Sequence, residues 1–186
     1  IVALLLAPTV EAQTVPFGKN KVQYRSFQWR VLAGEHVDVY YYPEEEPLAR
    51  LTLVYAEETV RDLSRTFQHH PFERIPLIVY ASRHHFEQTN VYSGLIPESV
   101  LGFTEYLRGR IALPFRGDYA QFRVTLRHEL VHAFQRSKLA ETRAVYPRQL
   151  RFSTQQVQWW TEGLAEYLAS PEPTTRQPPA ACFAYP

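Results

Sequence analysis

One predicted helix, near the middle of the chain, places polar side chains among apolar ones. Residues 118–137 are apolar nearly all round the helix, yet Arg127, His128, Glu129 and His132 lie among them. A helix that is apolar on every side is expected to be buried. Buried polar or charged groups need partners, because transfer from water without one is costly. The sequence therefore predicts a buried helix with partnered polar groups, and a metal ion is one partner that would serve.

The spacing of these polar residues suits a metal site. Residues 128–132 read HELVH, so two histidines lie four positions apart on one helix face. Both imidazoles can then reach one ion at about 2.0–2.1 Å. Glu129 is rotated off that line, where it can hydrogen-bond a water on the ion. The alternative is a helix with two surface histidines, which the apolar flanks disfavour.

A second segment, residues 159–167, reads WWTEGLAEY and lies on a predicted helix. Glu162 and Glu166 are four apart on one face, where like charges repel. The repulsion is removed if Glu162 binds a cation and Glu166 accepts a hydrogen bond from a ligating imidazole. Gly163 is unfavourable within a helix, which predicts that another group approaches it closely. Taken alone, the segment favours the alternative of an amphipathic helix with solvated acids.

HELVH followed by WWTEGLAEY resembles the gluzincins, most closely the peptidase MA-like families of zinc metallopeptidases. The resemblance covers about residues 110–167. It implies a zincin-like fold with Zn²⁺ bound by His128, His132 and Glu162. It further implies that Glu129 is the catalytic general base of peptide-bond hydrolysis and that Glu166 faces a zinc histidine. The substrate would be a peptide or protein.

The resemblance also implies that the strand RIALPF, residues 110–115, is an edge strand that holds an extended peptide by strand addition. Some positions depart from the family pattern. Val157 stands where many relatives have proline, and the strand motif of the aminopeptidases is absent. Tyr146 and Tyr167 are candidates for stabilising the oxyanion, although packing is the simpler role for each.

The ends of the chain suggest an exported protein. Residues 1–12 begin IVALLLA and end Val-Glu-Ala, which predicts the remnant of a secretory signal peptide cut after Ala12. The alternative is a first buried strand. A zincin-like domain would then cover residues 13–170, followed by a Pro-rich linker or truncated end over 171–186. The expected location is the bacterial periplasm, the cell surface or the medium.

The N-terminal sequence FGKNKVQYRSFQWRVL…HVDVYYYPEE is similar to the start of exported bacterial proteins. In those proteins a peptidase MA-like domain precedes a TolB-like β-propeller. The similarity implies a C-terminal β-propeller, of which the sequence contains no part. It also suggests an alternative function, in which a catalytically weak or inactive zincin-like domain serves as an envelope binding or assembly module. The intact Glu129 disfavours that alternative, and two motifs in the right order disfavour a metal-free domain with a coincidental match.

Composition limits the other classes of partner. The formal net charge is +1 and the basic residues are dispersed, so no nucleic-acid-binding surface is predicted. The apolar run at the start is too short to span a bilayer, so no membrane span is expected in the mature chain. Cys182 is the single cysteine, which excludes an internal disulfide.

The periodicities predict an α+β fold with a small mixed or antiparallel sheet. Pro114 favours an edge position or a strand end, and Asp118 is a suitable N-cap. The histidines outside the motif are expected at the surface or at helix ends: His36, His69, His70, His84 and His85. The predicted strands are 27–32, 36–42, 75–81 and 110–115, and the predicted helices are 44–70, 84–89, 118–137 and 155–169.

Overall fold

The computed structural model describes residues 23–71, 73–90, 96–105, 108–145 and 154–170, and the side chains of 143 and 154–158 are left aside. The expected signal segment 1–12, the Pro-rich segment 171–186 and Tyr146 lie outside these ranges. Within them the strands are β1 (Arg30–Ala33), β2 (Val37–Tyr41), β3 (Ile75–Tyr80), β4 (Phe103–Thr104) and β5 (Ile111–Pro114). The helices are a 3-10 turn (Pro43–Glu45), α1 (Glu46–Phe67), α2 (Arg83–Phe86), α3 (Tyr119–Val145) and α4 (Thr154–Ala169).

The five strands form one mixed sheet in the order β1-β2-β3-β5-β4. The two inner pairs, β2–β3 and β3–β5, are parallel, and each outer strand is antiparallel to its neighbour. A parallel pair requires a crossover between its strands, and α1 supplies the crossover from β2 to β3. The predicted α+β class with a small mixed sheet is therefore confirmed.

The main core lies between one face of this sheet and helices α1 and α3. Because side chains alternate along a strand, Val39, Leu77 and Leu113 face the helices and are fully buried. Leu126 and Phe134 of α3 are fully buried in the same cluster. Burying a side chain of this kind contributes about 1.5–3 kcal/mol. The packing holds α3 against the sheet and fixes the direction in which its polar residues point.

Local interactions set the ends of the long helices. The Asp118 carboxylate accepts hydrogen bonds from the backbone N–H groups of Ala120 (2.8 Å) and Gln121 (3.1 Å), which confirms it as the N-cap of α3. Gln68 adopts a left-handed conformation, with φ of 45°, and ends α1. Pro114 is the last residue of β5, so its missing N–H does not interrupt the sheet.

Two predictions about the strands and helices are wrong. The strand in residues 110–115 is not at the edge, because β4 pairs with it and forms the edge. Helix α3 continues eight residues beyond the predicted end, to Val145. His69 lies just beyond the end of α1, as predicted for a helix-end histidine, and its buried ring hydrogen-bonds the Ser137 hydroxyl at 2.8 Å. No helix within the described ranges is both long enough and apolar enough to cross a membrane.

Candidate metal centre

Three predicted ligands from two helices converge on one point. The Nε2 atoms of His128 and His132, both on α3, lie 3.1 Å apart. The Oε2 atom of Glu162 on α4 lies 3.4 Å from the first nitrogen and 3.3 Å from the second. The two helices that carry the two sequence motifs therefore lie together, and these three side chains form a triangle of donor atoms.

The size of this triangle fits a tetrahedral ion. Donor atoms bound about 2.0–2.1 Å from one ion in tetrahedral geometry lie about 3.3–3.4 Å from each other. The observed separations of 3.1–3.4 Å agree with that spacing. Two imidazoles and one carboxylate suit zinc, and three protein ligands leave a fourth position open. The donor set and its dimensions therefore fit a catalytic zinc ion.

Gln135 orients one of the two imidazoles. Its Oε1 atom lies 2.9 Å from Nδ1 of His132, so that nitrogen carries the proton and Nε2 is left for the cluster. Its Nε2 atom donates to the backbone carbonyl of Thr161 on α4, also at 2.9 Å. Gln135 thus joins the histidine to the helix that carries Glu162. The sequence analysis missed this residue, although its position three residues after His132 on the same helix was an available signal.

Glu166 lies beside the other imidazole. Its Oε2 atom is 3.6 Å from Nδ1 of His128, an ion-pair distance that is longer than a hydrogen bond. This is the side of the ring that faces away from the donor triangle. The carboxylate is therefore placed to attract the Nδ1 proton and to favour Nε2 as the donor to a cation.

Ionic contacts within the cluster shift the pKa values of its members. Hydrogen bonds from His128 and His132 lower the pKa of Glu162 to about 2. Burial alone would lower the pKa of His132, but its hydrogen bond with Glu162 and the negative charges of Glu162 and Glu129 raise it above the usual value. The site thus concentrates negative charge around two imidazoles, which is the environment that a divalent cation would neutralise.

Glu129 is buried beside this cluster, with 6% of its surface exposed. Burial raises the pKa of its carboxyl group, and a hydrogen bond from the Thr104 hydroxyl at 2.7 Å opposes that rise. The same hydroxyl lies 3.0 Å from the backbone carbonyl oxygen of Glu129. A buried carboxylate with a raised pKa, beside a group of three possible metal ligands, suits a group that accepts and returns a proton.

Helix α4 is held on α3 by polar contacts as well as by packing. Arg127 donates through Nε to the backbone carbonyl of Leu168, near the end of α4. Its Nη2 atom forms an ion pair with Asp62 of α1. Ala165 is fully buried in the main core. The arginine that the sequence placed within a buried helix therefore has its partners, and it links three helices.

Two further expectations concern Gly163 and Tyr167 on α4. A side chain at Gly163 would meet no atom within 4 Å apart from the backbone of its own helix turn, so the expected close approach is absent among the described residues. Tyr167, one candidate for the oxyanion, lies on α4 with 51% of its surface exposed.

A second group of possible ligands has a structural explanation. Glu35, His36 and Glu57 also bring donor atoms close together. However, Glu57 already accepts hydrogen bonds from the backbone N–H groups of His36 (2.9 Å) and Val37 (3.3 Å), and its other oxygen lies 2.7 Å from the His36 ring. A side chain at Gly34 would approach this carboxylate to 2.4 Å. The group closes the turn between β1 and β2.

A half-open cavity of about 520 Å³ lies on the other face of the sheet. Tyr40 and Ile78 line it, and they alternate with core residues on their strands. Phe27, Trp29 and Tyr80 add aromatic walls. None of the candidate ligands lines this cavity, so the chemistry of the donor triangle and this concavity are separate features.

Comparison with protein-family models and with curated proteins gives no match to this chain. The features of this chain that bear on its function are therefore the geometry of the site and the resemblance of its motifs.

Proposed function

We propose that this chain is a zinc-dependent peptidase of the gluzincin type, with His128, His132 and Glu162 as ligands and Glu129 as general base. The observation that carries the proposal is the triangle of three donor atoms, 3.1–3.4 Å apart, beside a buried glutamate. A structural zinc site is closed by four protein ligands. Three ligands with a neighbouring carboxylate instead suit hydrolysis.

The residues of the site would divide the reaction between them. A zinc ion bound by the triangle would lower the pKa of a water to about 7 and polarise the substrate carbonyl. Glu129 would take a proton from the attacking water and pass it to the nitrogen of the leaving amine. Gln135 and Glu166 would hold the two imidazoles in the tautomer that presents Nε2. Exclusion of water around Glu129 strengthens these interactions.

The test compares the wild type with Glu129→Gln and His132→Ala. Zinc per chain is measured by elemental analysis after purification without chelator, and turnover is measured on a fluorescently labelled unfolded protein such as casein. We expect about one zinc in the wild type and in Glu129→Gln, and little in His132→Ala. Loss of the general base should lower turnover by a factor of about 10²–10⁴. Wild-type turnover in Glu129→Gln would contradict the general-base assignment.

The same experiment separates the enzyme from the envelope binding or assembly module. A wild type that holds zinc but does not turn over any of a broad set of peptides would favour the module, with or without an attached β-propeller. A folded wild type that holds no zinc would contradict both. We propose export to the periplasm, the cell surface or the medium on the basis of residues 1–12.

A further inference from the structure

The edge strand β4 reaches the proposed general base through one side chain. Because β4 pairs with β5, Phe103 and Thr104 point to opposite faces of the sheet. Phe103 packs beside Phe86 on the far face, with ring centroids 5.5 Å apart. Thr104 faces α3, where its hydroxyl oxygen lies 2.7 Å from Oε2 of Glu129. A residue 25 positions away in sequence thereby touches the reacting group.

Hydrogen bonds join the described residues between Thr104 and β5. The backbone N–H of Glu105 donates to the carbonyl of Arg110 at 2.7 Å, and the N–H of Gly109 donates to the carbonyl of Glu105 at 2.8 Å. The two charged side chains also pair, with Nε of Arg110 3.0 Å from Oε2 of Glu105. Gly109 adopts a φ of +66°, a conformation that favours glycine. These contacts hold the backbone that follows Thr104 close to the backbone that precedes β5.

Space around Glu129 is limited on the same side. A Cβ atom at Gly102 would lie 3.3 Å from Cγ of Glu129 and 2.7 Å from a methyl group of Leu113. A side chain at residue 102 would therefore require Leu113 and Glu129 to shift. The chain lies close to the stem of Glu129 at Gly102, and Thr104 holds its carboxylate by a hydrogen bond.

The contact distinguishes the two carboxylate oxygens of Glu129. Oε2 accepts the hydrogen bond from Thr104, whereas Oε1 has no hydrogen-bond partner among the described residues. We propose that Thr104 is a positioning residue that holds Oε2, so that Oε1 is the oxygen that takes the proton. This inference rests on the proposed function. In the step, the water oxygen bonds to the carbonyl carbon, its proton moves to Oε1 and then to the amine nitrogen, and the C–N bond breaks.

The test uses Thr104→Val, which keeps the shape but lacks the donor, and Thr104→Ser, which keeps the donor. All proteins are full-length and zinc-loaded, and labelled casein and one cleaved peptide are the substrates. We expect the valine variant to keep about one zinc and an unchanged KM while kcat falls about 10–100-fold, as for loss of a supporting hydrogen bond at a metal site. The serine variant should stay within about threefold of the wild type.

A second readout does not depend on turnover. Crystal structures of the zinc-loaded variants should show the Glu129 carboxylate displaced in Thr104→Val and unmoved in Thr104→Ser. Thr104→Ala also lacks the hydroxyl and carries the same expectation if the valine variant does not fold. Wild-type kcat with an unmoved carboxylate in the valine or alanine variant would overturn the inference, as would a serine variant as slow as valine.

Glu129→Gln, measured in parallel, separates the two proposals. If Glu129→Gln is inactive while Thr104→Val is fully active, the positioning role alone fails. If Glu129→Gln turns over like the wild type, the general base is wrong and the role of Thr104 fails with it.

Discussion

Replacing Gln135 with leucine should weaken zinc binding, because this amide both orients His132 and ties it to α4. In the structure Oε1 of Gln135 is 2.9 Å from Nδ1 of His132, and Nε2 is 2.9 Å from the Thr161 carbonyl oxygen. His132 and Gln135 are 6% and 9% exposed. Leucine fills a similar volume without supplying a donor or an acceptor. The imidazole is then free to turn, and its buried N–H loses its partner.

The size of the effect follows from these contacts. Loss of a partner that orients a metal-binding histidine costs about 10–100-fold in affinity, which equals about 1.4–2.7 kcal/mol. The metal-free protein should also lose about 1–3 kcal/mol of unfolding free energy for each buried polar group left unpaired. The two quantities are separable, because affinity is measured by competition with a chromophoric chelator and stability by urea unfolding without metal.

Gln135→Glu is the matched control. A carboxylate still accepts the hydrogen bond from His132, but it has no proton to donate to Thr161. We expect this variant to bind zinc at least as tightly as the wild type while its metal-free form is less stable. If Gln135→Leu binds zinc with wild-type affinity, Gln135 does not orient the ligand. If Gln135→Glu weakens binding as much as leucine does, the link to α4 and not the tautomer controls the site.

Three further predictions concern other parts of the molecule. Gly163→Ala should stabilise α4 by up to about 1 kcal/mol and raise Tm by about 2–4 °C, because a Cβ there meets no other group among the described residues; a fall in Tm would contradict this. Burial would raise the pKa of Glu57, but hydrogen bonds from His36 and Val37 outweigh burial and lower it. The ionised carboxylate therefore stabilises the folded protein above the unfolded pKa of about 4.5, and this stabilisation is lost as the pH falls through the folded pKa. Glu57→Gln should therefore show a smaller change in unfolding free energy between pH 7 and pH 3 than the wild type, by urea unfolding, and an equal change would refute that role. Glu162→Ala should retain less zinc after dialysis than Glu166→Ala, since only Oε2 of Glu162 lies in the donor triangle; the reverse order would exchange their roles.

The helices and the inner strands follow from sequence because their patterns are long. Residues 36–42, rich in β-branched and aromatic side chains, and the apolar run 75–81 predict strands, and the structure has β2 and β3 within them. The first strand is shorter than predicted, and it begins at Arg30. Phe27 leaves the sheet because its ring stacks on Tyr42, with centroids 4.7 Å apart. Aromatic residues favour strands, but packing against other rings satisfies them equally well.

Residues of the site could be predicted where their contacts are local in sequence, and could not be predicted where the contacts are distant. The spacing of His128 and His132 predicts a shared face because both lie on one helix. Glu162 could be placed only through the resemblance, since nothing local brings α4 to α3. Thr104 gave no signal, because its strand has two residues and shows no periodicity. Its meeting with Glu129 depends on the order of strands in the sheet.

If the preassembled donor triangle binds a metal ion, its donor atoms bear on which metal that would be. Its two imidazole nitrogens and one carboxylate oxygen are already at a spacing that several divalent ions accept. Affinity for such ligands rises along the series from manganese to copper, and nickel lies close to the top. Purification on a nickel resin would therefore expose the site to Ni²⁺, which could bind in place of zinc. A metal ion found in a purified sample would therefore depend on the metals present during purification. Zinc would be identified as the catalytic ion if adding zinc restores turnover after the metal has been removed with a chelator.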